Sequence, residues 1–150
     1  MYQFKREQLV KTDIATCWEF FSSPKNLKKI TPPYMGFDVK TEIPEYMYEG
    51  LIIAYTVKPL FGIPVEWITE ITHVKEHKFF VDEQRKGPYR IWHHEHHFKE
   101  TDRGILMTDI VSYEMPFGAL GKLIQPILVK NKLEEIFAYR FAMTEAFFSK

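Results

Sequence analysis

The stretch from residue 36 to residue 115 limits the fold most, because it has the pattern of consecutive strands joined by short turns. Apolar and polar residues alternate from 37 to 43, and further strand-like stretches lie at about 50–58, 63–74, 78–86, 88–99 and 104–115. Turn-forming residues separate them, including Gly87-Pro88 and Thr101-Asp102-Arg103-Gly104. Since short connections join antiparallel neighbours, we predict an antiparallel sheet in which consecutive strands pair.

Other elements are predicted on both sides of this run of strands. Residues 2–10 indicate a first strand, and short helices are predicted at 14–21 and from Pro24 onward. Helical spacing returns at 118–148, where Pro126 should kink the helix or mark the start of its long half. We therefore predict an α+β fold of about seven strands, two short helices after the first strand, and one long C-terminal helix packed across a curved sheet.

Composition and charge narrow the class of protein. The chain has 150 residues and no linker-like segment, so we predict a single domain over residues 1–150. Twenty basic and twenty acidic residues cancel, which argues against nucleic acid as a partner. The single cysteine, Cys17, excludes an internal disulfide. The sequence has no signal-peptide pattern and no apolar stretch of membrane-spanning length, which predicts a cytoplasmic protein. Its oligomeric state is left open between a monomer and a homodimer.

The last two predicted strands show which side chains should face the terminal helix. The aromatic and apolar residues fall on one face of each strand, and the set is Trp92, His94, His96, Phe98, Ile105, Met107, Asp109, Val111 and Tyr113. A tight turn at 100–104 pairs positions whose numbers sum to about 203 to 205, so Asp109 should lie opposite His94 or His96. The Gly87-Pro88 turn likewise places Asp82 beside this face.

A sheet bent around one helix tends to leave a space between them, and aromatic side chains line such spaces as readily as they fill cores. We predict a mostly apolar cavity whose wall carries a polar seam of Asp82, Gln84, His94, His96 and Asp109, facing Arg140 on the helix. The predicted ligand-binding residues are Trp67, Thr69, Phe80, Asp82, Trp92, His94, His96, Asp109, Val111, Tyr113, Ile136 and Arg140.

The polar seam has several interpretations. Asp82 and Asp109 could be satisfied by His94, His96, Arg140 or Tyr113 and simply hold the sheet together, since a buried carboxylate needs a partner. The same groups could orient the polar end of a ligand. A histidine held by an aspartate could also carry protons, which makes His94, His96, Asp109 and Asp82 the catalytic candidates. Two histidines and a carboxylate could bind a metal, but this spacing is unspecific, so we predict no metal and no other cofactor.

The chain resembles the START-like superfamily, also called SRPBCC, over essentially its whole length. The matching residues are Phe21-Ser22-Ser23-Pro24, Trp67 with Thr69, Phe80-Val81-Asp82, Gly87-Pro88-Tyr89, Trp92-x-His94-x-His96-x-Phe98, Asp109-x-Val111-x-Tyr113 and Ile136-Phe137-x-x-Arg140. More narrowly, it is similar to bacterial polyketide cyclases and coenzyme Q-binding proteins. The resemblance implies a helix-grip fold with a deep cavity for lipids, polyketides, sterols or other apolar molecules. It does not imply one activity, because this fold hosts carriers, cyclases and hydrolases.

These observations favour a binding protein over an enzyme. The expected ligand is small and largely apolar, of lipid, polyketide, quinone or aromatic type. A cyclase or hydrolase that uses a His/Asp pair is the first alternative. The second is an interaction module without a ligand, for which the loop at 59–64 offers apolar residues that look exposed.

Overall fold

The computed structural model describes every residue from Met1 to Lys150. Its strands are β1 (Tyr2–Val10), β2 (Asp38–Val39), β3 (Ile52–Val57), β4 (Val65–Lys75), β5 (Phe79–Lys86), β6 (Ile91–Thr101) and β7 (Gly104–Glu114). Its helices are α1 (Ile14–Ser22), two 3₁₀ turns (Pro24–Ile30 and Pro33–Met35), α2 (Gly118–Ile124), a π-helical turn (Gln125–Val129) and α3 (Lys130–Phe148). This order confirms the predicted α+β, helix-grip architecture.

All seven strands form one antiparallel sheet in the order β1-β7-β6-β5-β4-β3-β2. The register between β4 and β5 shifts at Ile68/Thr69 and again at Ile71/His73, and such irregularities bend a sheet. The helix α3 crosses the concave face and is attached to β1 at the sheet edge. The amide of Gln8 donates to the Phe141 carbonyl at 3.0 Å, and the rings of Phe4 and Phe137 lie 4.8 Å apart.

The strand predicted at 37–43 is wrong in its length. Only Asp38–Val39 pairs with β3 as a strand, and one further ladder bond joins the amide of Lys40 to the Ala54 carbonyl at 2.8 Å. The amide of Ala54 donates instead to the Thr41 side-chain hydroxyl, at 3.2 Å. A side-chain acceptor therefore replaces the backbone at the point where an alternating sequence would have continued the edge strand.

The region beneath α1 holds the largest cluster of buried apolar residues in the protein. The Asp13 carboxylate caps α1 by accepting from the Thr16 amide at 2.9 Å. The helix buries one face against the concave side of β5, β6 and β7, and we call the result the packed core. Its members are Val10, Cys17, Trp18, Phe20, Phe21, Ile30, Phe80, Phe98, Ile105 and Met107.

The C-terminal helical segment changes its hydrogen bonding around Pro126, which lies in the π-helical turn. Proline provides no amide donor, and π-turns absorb an irregularity of this kind without ending the helix. The predicted change at Pro126 is therefore a π-turn, and α3 begins four residues later. On α3, Leu133 and Phe137 are buried, whereas Leu123 on α2 remains 70% exposed. None of the helices combines the length and apolarity that crossing a bilayer requires.

Candidate functional site

A cavity of about 190 Å³ lies between the sheet, α3 and the first 3₁₀ turn, and it is partly open to solvent. Of its 28 lining residues, 18 are hydrophobic, so the wall is apolar with a few polar positions. An engineered cavity of about 150 Å³ in another protein binds benzene. By that comparison, this cavity has room for one aromatic ring with several further atoms.

Most of the residues predicted to bind a ligand line this cavity. The group comprises Trp67, Thr69, Phe80, Asp82, Trp92, His94, His96, Ile136 and Arg140. The other three predicted residues are Asp109, Val111 and Tyr113, and they do not belong to the lining.

Those three residues lie on the predicted face of β7 but are covered by other parts of the chain. Val111 and Tyr113 are packed against Val129, Leu133 and Phe137, where the helical segment crosses directly over β7. The hydroxyl of Tyr113 accepts from the Gln125 amide at 2.7 Å, so it does not serve either aspartate. Their predicted place in the cavity wall is therefore corrected to a place beneath the helix, and Asp109 lies behind the two histidines.

Gln84 also lies elsewhere than predicted. Its amide nitrogen donates to the Tyr89 carbonyl at 2.6 Å, and its amide oxygen accepts from the Tyr89 backbone at 3.2 Å. Gln84 thus holds the turn between β5 and β6 and does not belong to the polar seam. By fixing this turn, it places the Tyr89 side chain in the cavity wall.

The list of predicted ligand-binding residues left out the short helices and the turn before β6, and it did not include Tyr55, although the alternation of β3 places Tyr55 on the inward face. The additional lining residues that matter most are Phe20, Phe21, Leu27, Ile30, Tyr55 and Tyr89. Leu27 and Ile30 share a helical face in the sequence, so their inward orientation could have been predicted. No sequence signal shows that the turn at Gly87-Pro88 brings Tyr89 to the cavity.

One wall of the cavity is a continuous aromatic surface. The rings of Trp67 and Trp92 meet edge to face at 5.2 Å, and Tyr89 lies 4.8 Å from Trp92. The hydroxyls of Tyr55 and Thr69 are hydrogen-bonded at 3.0 Å. Nε1 of Trp67 is buried and has no hydrogen-bond partner within the chain. The wall is therefore largely apolar, and it keeps one donor unused.

The other notable wall contains the imidazole–carboxylate cluster, which we define as Asp82, His94, His96 and Asp109. The tight turn that pairs Thr101 with Gly104 sets the register that places His96 opposite Asp109. On the other side of β6, Asp82 lies opposite His94. The four side chains thus come from three adjacent strands, and the sheet itself fixes their positions.

Each imidazole in this cluster reaches both carboxylates. His94 places Nε2 at 2.8 Å from Asp109 Oδ1 and Nδ1 at 3.5 Å from Asp82 Oδ2. His96 places Nε2 at 2.6 Å from Asp82 Oδ2 and Nδ1 at 3.2 Å from Asp109 Oδ1. The two rings face each other with their centroids 3.7 Å apart and their planes tilted by 33°.

Arg140 reaches this cluster from α3, as predicted. Its Nη2 lies 3.3 Å from His96 Nδ1 and 3.6 Å from Asp109 Oδ1. A guanidinium only donates hydrogen bonds, so Nδ1 of His96 accepts and the proton of this imidazole lies on Nε2, directed at Asp82. Nε of Arg140 is buried without a partner.

Burial raises the pKa of Asp109, but the positive charge of Arg140 and the hydrogen bond from His94 outweigh it and hold that pKa well below its usual range. Burial likewise opposes the ionisation of Asp82, and attraction to His94 with a hydrogen bond from His96 lowers its pKa. Burial, followed by the neighbouring His96, lowers the pKa of His94. Two ionised carboxylates therefore lie near one guanidinium, which leaves the cluster with one negative charge in excess.

Comparison with solved structures shows the fold. Protein Ms6760 from Mycobacterium smegmatis is 18% identical, with a TM-score of 0.71, and the match covers 98% of this chain and 90% of that chain. TTHA0849 from Thermus thermophilus is 15% identical, with a TM-score of 0.66 and coverage of 97% and 98%. Ara h 8.0201 is 14% identical, with a TM-score of 0.62 and coverage of 97% and 98%.

These similarities span nearly the whole chain, so the fold is of the helix-grip type. At such identities they show the fold alone. No family model matches the chain, and no curated protein matches it.

Proposed function

We propose that this protein binds a small, largely apolar molecule with a polar end in the cavity between the sheet and α3. The observation that carries the proposal is an apolar, partly open cavity of about 190 Å³ with charged groups confined to one wall. Ligand sites are generally of this kind, with an apolar lining and a few polar groups that fix orientation.

The cavity limits the size and shape of the ligand. Trp67, Trp92 and Tyr89 offer flat surfaces suited to an aromatic or conjugated body. A volume of about 190 Å³ accepts a compact ring system of this kind. A long acyl chain or a prenyl tail would have to extend through the opening. An aromatic, polyketide-like or quinone-like head group is therefore the ligand class that we favour.

The polar end of the ligand should accept hydrogen bonds. Arg140 lines the cavity, and its Nε has no partner in the chain. Trp67 also lines the cavity and keeps a free Nε1 donor. A carbonyl, phenolate or carboxylate oxygen would satisfy such donors, whereas a purely hydrocarbon ligand would leave them unpaired.

The proposal can be tested by filling the cavity without disturbing the sheet. Ile136 lines the cavity from α3, and Met143 lies on the same helix but is 36% exposed and outside the lining. We expect Ile136→Trp to abolish binding of the probe 2-naphthol, measured by calorimetry, and Met143→Trp to leave it unchanged. Equal binding by the two variants, or no binding by the unmodified protein, would overturn the proposal.

The identity of the natural ligand calls for a separate measurement. Native mass spectrometry of the protein purified from its own host should show a retained mass that is absent from the Ile136→Trp variant. The mass of that molecule would then define its chemical class.

An enzyme of the cyclase or hydrolase type is the second candidate, and the imidazole–carboxylate cluster favours it. Both histidines lie within hydrogen-bond distance of an aspartate, at 2.6 and 2.8 Å, and both line the cavity. This is the arrangement of a positioned proton carrier. If the protein is an enzyme, His94→Gln and His96→Gln should abolish turnover of the retained molecule while its binding persists.

Two other histidines of β6 provide matched controls for that test. His93 and His97 lie on the opposite face of the strand and contact Glu83 and Glu95 at 2.8 Å. The substitutions His93→Gln and His97→Gln should leave turnover unchanged. Turnover that survives His94→Gln and His96→Gln would reject this second function.

A further inference from the structure

Three potential ligand atoms converge at the cavity side of the imidazole–carboxylate cluster. Asp82 Oδ2 lies 3.5 Å from His94 Nδ1 and 2.6 Å from His96 Nε2, and all three atoms lie within 4.8 Å of one another. They come from the adjacent strands β5 and β6, so backbone pairing fixes their relative positions. All three residues line the cavity.

We propose that Asp82, His94 and His96 bind a divalent first-row transition metal ion that keeps an open coordination position toward the cavity. Two imidazole nitrogens and one carboxylate oxygen are a donor set that suits Zn²⁺, Co²⁺ and Fe²⁺. Three protein ligands leave room for a water molecule or a ligand oxygen, unlike the four-ligand sites that only stabilise a fold. The proposal departs from our sequence-based expectation, because the convergence of atoms is visible only in three dimensions.

The groups behind the histidines provide an independent argument. The ring nitrogens that point away from Asp82 are His94 Nε2, at 2.8 Å from Asp109 Oδ1, and His96 Nδ1, at 3.2 Å from the same atom. Histidines that bind metals usually donate their second ring N–H to a carboxylate, which orients the imidazole. Asp109 is placed to accept from both histidines at once, although it does not reach the cavity.

The charge of the site also favours a cation. Asp82 and Asp109 supply two negative charges in a buried setting, and Arg140 supplies one positive charge. Arg140 approaches Asp109 and His96 Nδ1, at 3.6 and 3.3 Å, which is the side of the cluster away from Asp82. The proposed ion and the guanidinium would therefore lie at opposite ends of the imidazole pair.

Binding requires a small rearrangement. Asp82 Oδ2 and His96 Nε2 are now hydrogen-bonded at 2.6 Å, whereas two ligands of a tetrahedral ion lie roughly 3.3 Å apart. The ion would take the place of the proton on Nε2. That proton would move to Nδ1 and point at Asp109, and Arg140 would then keep only its contact with Asp109. Asp82 is the least buried member, with 17% of its side chain exposed, so it is the residue that we expect to shift.

The test uses the full-length protein after chelation, titrated with Co²⁺ for its visible absorption and with Zn²⁺ in equilibrium dialysis with elemental analysis. We expect one equivalent of bound metal in the unmodified protein. Asp82→Asn, His94→Gln and His96→Gln should each weaken binding by roughly 100-fold or more. Asp109→Asn, which leaves all three ligands in place, should weaken it by about 10- to 100-fold.

The controls separate this proposal from its alternatives. His93→Gln and His97→Gln should bind metal as the unmodified protein does, and circular dichroism should show every variant folded. No metal uptake by the unmodified protein, or loss of uptake on His93→Gln or His97→Gln instead, would overturn the proposal. Binding of 2-naphthol by the metal-free protein is measured separately, so failure of the metal site leaves the proposed ligand-binding function standing.

Discussion

The packed core and the aromatic wall of the cavity lie on the same face of one sheet, and both are rich in aromatic rings. In the packed core, Trp18 of α1 contacts Phe98 and Phe80 of the sheet, with ring centroids 5.4 and 6.0 Å apart. In the cavity wall, Trp67 meets Trp92 at 5.2 Å, yet a space of about 190 Å³ lies beside them. Ring contacts are equally close in both regions, so the difference comes from the element that covers each one.

That difference shows why aromatic content alone does not distinguish a filled interior from a hollow one. The helix α1 packs its buried side chains against the sheet and reaches the cavity only through Phe20 and Phe21, whereas short 3₁₀ turns and one side of α3 border most of the cavity opposite the sheet. The imidazole–carboxylate cluster lies between the two regions. The two regions should therefore respond differently to substitution.

The largest effect is expected at Asp109, which is 7% exposed. Its replacement by alanine leaves Arg140 and two imidazoles without their shared partner, and breaking a buried ion pair costs about 3–5 kcal/mol. The free energy of unfolding from urea titration measures this loss. Glu83→Ala removes a partly exposed partner of His93 and should cost less than about 1 kcal/mol. A similar small loss for Asp109→Ala would show that the cluster is hydrated.

A matched pair of isoleucines compares the two regions directly. Ile105 belongs to the packed core and is 2% exposed, while Ile53 is 4% exposed but lines the cavity. We expect Ile105→Ala to lower the free energy of unfolding by about 4 kcal/mol and Ile53→Ala by about 2 kcal/mol, because the second enlarges an existing space. Urea titration of both variants checks the difference, and equal losses would mean that the cavity behaves as a filled core.

Breaking the hydrogen bond between the hydroxyls of Tyr55 and Thr69 tests whether water reaches this part of the cavity. Thr69→Val leaves the half-buried Tyr55 hydroxyl without its partner and should cost about 1–2 kcal/mol. The double variant Thr69→Val/Tyr55→Phe removes both hydroxyls and should regain most of the lost free energy of unfolding. A double-mutant cycle of unfolding free energies measures the coupling. Zero coupling would indicate that water already satisfies both hydroxyls.

The smallest effect is expected at Cys17 in the packed core. Burial raises the pKa of its thiol from 9.0 to about 12, so the native protein should resist iodoacetamide at pH 8. The same shift means that its contribution to stability is intact below pH 9 and declines as the pH rises toward 12. Mass spectrometry after labelling, with a urea-unfolded control, measures the reaction. Rapid native labelling would show that α1 detaches from the sheet.

The sequence predicts the sheet well because strand pairing depends on local turns. The tight turn at 101–104 determines that His96 faces Asp109, and this pairing is found. The alternating burial of β7 was equally accessible from the sequence. The short length of the edge strand β2 could not be predicted in this way. The hydroxyl of Thr41 replaces a backbone acceptor there, and the alternation of apolar and polar residues gives no sign of that replacement.

The cavity is harder to predict, since its outline depends on elements that are distant in the sequence. Val111 and Trp92 are equivalent in the alternating pattern, yet only Trp92 reaches the cavity. The path of the C-terminal segment over β7 makes this difference by covering Val111. The convergence of potential ligand atoms from Asp82, His94 and His96 likewise depends on the imidazole rotamers that Asp109 and Arg140 stabilise. Residue spacing in the sequence does not predict those rotamers.

The π-helical turn at Gln125–Val129 has a consequence for how this protein can vary between species. A π-turn contains one residue more than an α-helical turn, and each residue rotates a helix by about 100°. Deleting one residue there would turn α2 about its axis and bring a different set of side chains to the surface in place of Leu123. Because Arg140 lies beyond the turn, the cavity would keep its geometry. The length of this turn therefore determines which side chains of α2 face the solvent, while the residues of α3 that line the cavity lie beyond it.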